Sequence, residues 1–569
     1  MKMKKIVKIF SIATMGVALT ALTGCIKEID PQSSTVTANQ AADAPGSFDN
    51  FVATITSSLN GAFTYGGGSN HYPYDYGYPS FFLQRDVMGH DIVCESGGSE
   101  WYTEWYACGS GLGPQYAVCQ VPWTYYYGWI KSCNTVISLA GEEPAADKVS
   151  GAGIAYAMRA MFYMDLARMY AQKSYAMDKS SETVPLVTEQ TSLSDLVNNP
   201  RATNEAMWAF ILSDLDKAET YLADYKPLDV YTPDLNVVYG LKARAYLTME
   251  DWANAEKYAK LAQSGYSVLS DSEWNDRKTG FNTPNHSWMF GLTFRSSDAN
   301  ILQNDADSSW GSQMIVEVSA SGCGYAANYV GPKRIDKHLF ETIPTTDFRR
   351  KSFVDFALDE LDSEEEMILA LGDYTDDPEG VLTTGLEVAS SGKLGGIELK
   401  FRPKGGEHDN QYQAFTVAVP LMRVEEMMLI EAEAAGMQNE ARGIQLLTDF
   451  AKTRDPQYEY GSHFEGYGSS YANNFQNEVW WQRRVELWGE GFATFDIKRL
   501  DKGVIRSYEG TNHVAGYCWN FGDYGTNGGS VHPNWMDLCI VQTEGNYNTA
   551  CTNNPTPLKP SADSTPHVW

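Results

Sequence analysis

The sequence predicts a mainly α-helical fold, an α/α superhelix of paired helices packed with a loop-rich region that contains short strands. Three observations predict it. Residues 237–265 (VVYGLKARAYLTMEDWANAEKYAKLAQSG) read as two amphipathic helices joined by a tight turn. Residues 153–171 and 203–222 read as further long helices just upstream, and between about 270 and 399 the helical period disappears. A hairpin of this kind carries apolar surface on more than one flank, so it folds only among companions.

In the first helix of the hairpin, Val238, Leu241 and Ala245 fall at i, i+3 and i+7, with Tyr246 and Leu247 on a second apolar side. Asp251 stands where the second helix needs a cap, and the stripe of that helix is Trp252, Ala255, Ala259 and Ala262. Glu256 and Lys260 form an i, i+4 pair on the wet side, and Gly265 ends the helix as a residue free to turn left-handed. Ala243, Ala255 and Ala262 let two backbones approach while Tyr246 and Trp252 wedge between them. The spacing A-x2-Y-x8-A-x6-A is similar to a tetratricopeptide repeat. Met207, Phe210, Ile211, Leu215, Ala218 and Leu222 give the preceding helix a continuous apolar stripe. Stacked helix pairs support binding more often than chemistry.

Taken in order, the chain opens with Lys2, Lys4, Lys5 and Lys8 ahead of an apolar run over 9–22, too short to span a bilayer. Residues 1–24 therefore read as a secretory signal. It ends in Leu22-Thr23-Gly24-Cys25, similar to a bacterial lipobox, in which the peptide is cut before the Cys and the Cys is acylated. Cys25 is thus the expected lipid anchor, residues 25–45 a flexible tether, and 46–569 a single body.

Within that body, 47–63 and 123–139 read as helices, and 172–199 as a connection containing Val184-Pro185-Leu186-Val187. Beyond the hairpin, 287–293 and 313–318 read as short extended segments. The acidic stretch 355–366 reads as a solvated helix or insertion in preference to a calcium site, because it lacks the D-x-D-x-D-G turn; no cofactor is called for. Helices return over 421–436, 439–454 and 474–500, and 507–534 is a Gly-, Asn- and aromatic-rich loop. The helical scaffold is expected at about 47–270 and 415–500, the loop-rich region at about 270–415 and 500–569.

A formal charge of −29, made more negative by loss of the basic leader, repels phosphate backbones and makes nucleic acid a poor partner. Cys94, Cys108, Cys119 and Cys133 crowd together without any C-x-x-C or Cys/His zinc spacing; a bridge among them and buried free thiols are both open readings. No H-E-x-x-H, G-x-S-x-G or P-loop occurs, and the glycine-rich 109–113 lacks a strand-turn-helix around it. A glycosidase needs two carboxylates across one bond, one with a raised pKa. Glu486 and Glu490 have helical spacing, but Arg483, Arg484 and Arg499 lie close in sequence, so a buried ion-pair network is the better reading.

Several segments, in chain order, carry a more specific signal. Residues 482–491 (QRRVELWGEG) followed by Asp496 to Arg499 are similar to an ERR-EL-EG-R-D-R helix, with Gln482 in place of the usual Glu and Ala493 or Thr494 where Arg is common. Residues 421–434 are similar to an LRxAE…AEA helix. With Arg159-Ala160, residues 184–187, Asp214-Leu215, Asp347-Phe348-Arg349 and the ending over 540–555, these resemble the SusD/RagB family of surface lipoproteins across the whole mature chain. The resemblance implies a helical fold of tetratricopeptide-like pairs, a place on the outer face of the outer membrane, and no catalysis. It further implies binding of oligosaccharides, or of peptides in some branches, and action as a lid on a SusC-like TonB-dependent transporter barrel. A surface glycoside hydrolase is the disfavoured alternative, and an adhesin or structural accessory subunit a third class.

The residues themselves point to sugar through the aromatics. Tyr and Trp in irregular segments lay flat faces against sugar C–H groups while their polar tips hydrogen-bond. The candidates are Tyr74 and Tyr76 from one loop, Trp101, Tyr102, Trp105 and Tyr106 from a second, and Trp310 beside Asn304 and Asp307 from a third. The competing reading places these rings in the core or against the transporter.

Overall fold

Helix follows helix through the first half of the body: α1 (Ser47–Ser57), α2 (Ser80–Val87), α3 (Thr103–Tyr106), α4 (Ala117–Ala140), α5 (Val149–Tyr170), α6 (Asn204–Tyr221), α7 (Leu235–Met249) and α8 (Trp252–Ala262). Later come α9 (Trp310–Met314), α10 (Val424–Gln438), α11 (Glu440–Ala451), α12 (Asn474–Glu486) and α13 (Ala493–Arg499). The computed structural model describes residues 46–61, 74–95, 101–108, 110–521, 531–558 and 562–569. The expected signal, the tether with Cys25, and the loop over 62–73 lie outside them. Residues 49–569 form one compact unit.

The predicted hairpin forms as α7 and α8. Asp234 caps α7 through the Val237 N–H, Glu250 turns left-handed at φ 57°, and Asp251 caps α8 through the Asn254 N–H at 3.2 Å. Leu241, Ala245, Ala255, Ala259 and Ala262 are buried, and the Tyr246 ring lies flat on Tyr258 at 5.6 Å. Glu256 meets Arg442 of α11.

Each of α4 to α8 packs on the next, and α8 packs on α10, which carries α11 and α12. Charged clamps mark several of these joints. Arg159 of α5 holds Asp214 of α6 with two bonds at 2.7 and 2.9 Å. Lys242 of α7 reaches Asp216 and Glu219 of α6, and Arg244 of α7 grips Glu426 of α10 at 2.7 and 2.8 Å. Such pairs fix which helix meets which at little net gain in stability, because desolvation offsets much of their attraction.

The strands are short and antiparallel: β1 (Ile92–Val93) with β5 (Arg334–Ile335), β2 (Glu182–Pro185) with β3 (Arg201–Thr203), and β4 (Trp288–Thr293) with β6 (Ala418–Arg423). The loop-rich region has its own apolar core of Val316, Val354, Leu371, Val381, Leu394 and Ile397. Leu358 faces that core while Glu364, Glu365 and Glu366 stay exposed, so the acidic stretch is a solvated face over buried leucines.

One expectation is corrected and another is sharpened. The extended segment at 313–318 does not form, because Ser309 accepts the Ser312 N–H at 3.2 Å and starts the turn of α9, which takes in Gln313 and Met314. The helical region expected over 474–500 forms as two helices, α12 and α13. Gly489 (φ +76°) and Gly491 (φ +83°) sit between them, and a side chain at Gly489 would begin 2.8 Å from the Phe401 ring.

Candidate ligand-binding site

Most of the sequence-predicted rings are inside the protein. Tyr76, Tyr102 and Tyr106 are 0% exposed, Trp310 1%, Trp105 3% and Tyr74 8%. The Tyr76 and Tyr102 hydroxyls share a 2.6 Å hydrogen bond, and Tyr76 packs on Trp310, which meets Phe82 and Phe401 edge-on at 6.1 and 5.4 Å. Tyr106 hydrogen-bonds His513 Nδ1 at 2.6 Å under the Arg506 guanidinium, and Tyr74 sits edge-on to Trp105 at 5.4 Å. These rings have no face open to a sugar. They knit α2, α3 and α9 together because their segments, though irregular, are the inner wall of the body.

Trp101 and Asn304 stay at the surface, and other tyrosines join them. The Trp101 ring, half-buried, leans on Tyr74 at 6.1 Å and stands perpendicular to Tyr325 at 6.4 Å; Tyr325 in turn touches Tyr329 at 5.4 Å. The Trp101 and Asn304 side chains lie beside the Tyr325 hydroxyl. Tyr329 is 48% exposed and Tyr412 41%. Tyr412 donates to Asp305 Oδ1 at 2.9 Å, and its neighbour Gln411 donates to Cys323 Sγ at 3.3 Å, so the 304–307, 323–329 and 411–412 segments meet on one surface.

The support beneath is polar and tight. Asp307 Oδ1 accepts the Gly324 N–H at 2.7 Å and the Ser312 hydroxyl at 3.4 Å, and the Tyr325 N–H reaches Ser312 Oγ at 3.0 Å. Gly324 takes φ +98° with the Phe415 ring 3.0 Å from where a side chain would begin. Asn304, Asp305 and Ala306 are left-handed in succession, at φ 50°, 54° and 66°. A run of non-glycine residues there is costly backbone, held where surrounding contacts over-determine it.

The charge of this surface is negative. Burial, reinforced by Asp305, pushes Asp307 up to about 6. Burial and then the Asp307 and Asp305 carboxylates raise the Cys323 thiol and the Tyr329 hydroxyl, the latter to about 12. A hydrogen bond to Asp305 is the main cause raising Tyr412.

Glu486 and Glu490 are buried among cations. Arg349, Arg423 and Arg454 reach Glu486 at 3.0 to 3.2 Å and hold its carboxyl well below the usual range despite burial; Arg423 and Lys400, at 2.7 to 2.9 Å, lower that of Glu490. Arg483 and Arg499 share Asp496, Arg499 also holds Glu433, and Arg484 holds Asp91. A general acid needs a raised pKa and reach to substrate, and neither glutamate has either. Burial pushes Glu398 up to about 8, but it is 0% exposed and accepts the Lys400 and Phe401 N–H groups. Among the described residues no group of His, Cys, Asp or Glu could hold a metal ion, and no helix is long and apolar enough to cross a membrane.

Sequence reasoning missed Tyr325, Tyr329 and Tyr412. The signal was present in SGCGYAANYVG, where glycines flank closely spaced tyrosines as they do near Tyr76. Tyr412 follows Asn410 in a helical turn and offers no comparable sign.

Residues 100–247 match a SusD-like family model described as "Starch-binding associating with outer membrane". No curated protein matches the sequence. Among solved structures, a SusD-like carbohydrate-binding protein from Bacteroides vulgatus is similar at TM-score 0.66 and 21% identity, over 91% of this chain and 98% of the other. A SusD superfamily protein from Bacteroides thetaiotaomicron is similar at 0.63 and 16%, over 89% and 99%. Surface glycan-binding protein A from the same organism, in complex with laminarihexaose, is similar at 0.61 and 15%, over 89% and 98%.

Proposed function

We propose, from the premise that this chain is a SusD-like protein in its fold and its 100–247 segment, that it captures oligosaccharides without catalysing their cleavage. The observation that carries this is the surface of Trp101, Tyr325, Tyr329 and Tyr412, rings left open above a tightly hydrogen-bonded support. Amphipathic rings held in place pair with sugar faces at small entropic cost. Asn304 and Asp305, exposed beside them, supply polar groups for sugar hydroxyls.

With Asp305 and Asp307 setting the local field, the site suits uncharged or amino-bearing sugars better than uronates or sulfated chains. The lipobox-like Cys25 supports anchoring to the outer membrane with the body facing outward, and the fold supports delivery of cargo to a SusC-like transporter barrel. A glycan and peptide array on the protein tests the reading. Saturable binding to neutral oligosaccharides is expected; binding confined to peptides, or turnover of a polysaccharide, would contradict it.

A further inference from the structure

We propose that the cleft between the end of α5, the start of α6 and α13 is a second ligand site, one that takes the head of a small organic carboxylate. It holds about 290 Å³, its open mouth included. In a chain of net charge −29, Arg168, Lys173, Lys498 and Arg499 line it, and among the described residues no Asp or Glu does. None of the rings of the aromatic surface lines it either, so the proposal stands apart from the glycan-binding reading.

The walls are fixed by packing. Asn204 Nδ2 donates to the Lys173 and Asp178 carbonyls, each at 2.9 Å, and so holds the 173–178 loop against the start of α6. Tyr175 of that loop meets the buried Trp208 edge-on at 6.4 Å. Phe495 of α13, also buried, lies under the Arg168 guanidinium at 3.7 Å. Aromatic walls with a few polar points suit a small amphipathic ligand.

Two donors in this cleft call for an acceptor. Arg168 Nε and Ser174 Oγ are buried, and among the described residues neither has a hydrogen-bond partner. Lys498 and Arg499, by contrast, are engaged. Lys498 Nζ donates to the Ala171 carbonyl and pairs with Asp537, both at 2.7 Å, and Arg499 holds Asp496 and Glu433. Arg168 shares its one carboxylate. Asp165 accepts from it at 2.6 Å and from Arg85 at 3.4 Å, as well as from the Tyr78 and Tyr126 hydroxyls. Two guanidiniums on one carboxylate leave a positive charge without its counter-charge, and a buried donor left unpaired is costly. A bound carboxylate relieves both: its charge balances the second guanidinium, and its two oxygens accept from Nε and the hydroxyl. Its carbon tail then lies on Trp208 and Phe495. A sulfate or phosphate would bring four oxygens to two unpartnered donors.

The test is thermal unfolding and calorimetric titration of the full chain with sodium propionate and sodium benzoate, at an ionic strength held constant with sodium chloride. The expected result is a saturable rise in Tm and a measurable Kd that propionamide and sodium sulfate do not reproduce. S174A, which removes a hydroxyl and no charge, should raise Kd by about three- to tenfold. R168K, which keeps the charge and removes Nε, should raise it at least as far. Y329A/Y412A should bind propionate as the wild type does. Carboxylates no more stabilising than chloride would overturn the proposal, and so would wild-type affinity in both S174A and R168K. Neither result depends on whether the protein binds a glycan.

Discussion

The Tyr412 hydroxyl donates to Asp305 Oδ1 across 2.9 Å, joining an exposed ring to the left-handed turn at 304–306. The bond aims Tyr412 at the open surface. Replacing it as Y412F keeps the ring and removes the tie. We expect a two- to tenfold rise in oligosaccharide Kd, the equivalent of about 0.5–1.5 kcal/mol. Tm should be unchanged, since both residues face solvent. Calorimetric titration beside thermal unfolding separates the two effects.

The buried rings should behave oppositely. W310A removes a 1%-exposed side chain packed against Tyr76, Phe82 and Phe401, and the cost should be about 3–5 kcal/mol of folding free energy. Y76F removes the hydroxyl that pairs with Tyr102, for about 1 kcal/mol. Denaturant titration checks both; a W310A protein of normal stability that had lost glycan binding would restore the ligand role its sequence position suggested.

Much of the fold was legible because its signals are local. Asp251 before an apolar stripe specifies a capped helix whatever surrounds it, and the arginines near Glu486 announce a charge network. The site was only partly legible. Loop aromatics at Tyr76 and Tyr102 differ from Tyr329 in nothing a single sequence displays; only long-range packing decides which rings are walled in. The split between α12 and α13 had a visible cause in Gly489 and Gly491, whereas the capping role of Ser309 was overridden in reading by the apolar run that follows it.

Glu486 should make stability acid-sensitive. Its carboxyl is held below the unfolded value of 4.5 by Arg454, Arg423 and Arg349, which outweigh burial. The unfolded state therefore takes up a proton first as pH falls, and the stabilisation present above pH 4.5 is lost progressively below it. E486Q leaves three buried guanidiniums short of a counter-charge and should cost about 3–5 kcal/mol at neutral pH, a deficit that shrinks in acid. Unfolding measured from pH 3 to 7 is the check.

Asp307 should act with the opposite sign. Its folded value of about 6 stands above the unfolded 3.8, so ionisation penalises the folded state as pH rises between them. D307N keeps an acceptor for the Gly324 N–H without the charge. Its Tm relative to wild type should therefore be higher at pH 7 than at pH 4, and a difference that does not change with pH would contradict the raised value.

Charge selection at the site gives a further outcome. Neutral oligosaccharides should bind more tightly than uronate analogues of the same length, and added salt should narrow the gap by screening Asp305. D305N should narrow it as well. Competition binding at low and high ionic strength reads both.

The most direct measurement is calorimetric titration of the best neutral oligosaccharide into wild type and a Y329A/Y412A variant. These rings are open to solvent and their contacts, with Tyr325, Gly322 and Asp305, lie outside the buried core, so the variant should fold with close to wild-type Tm. Affinity should fall by tenfold or more, about 1.4 kcal/mol or above. Unchanged affinity in a folded Y329A/Y412A protein would contradict the assignment of cargo capture to this aromatic surface.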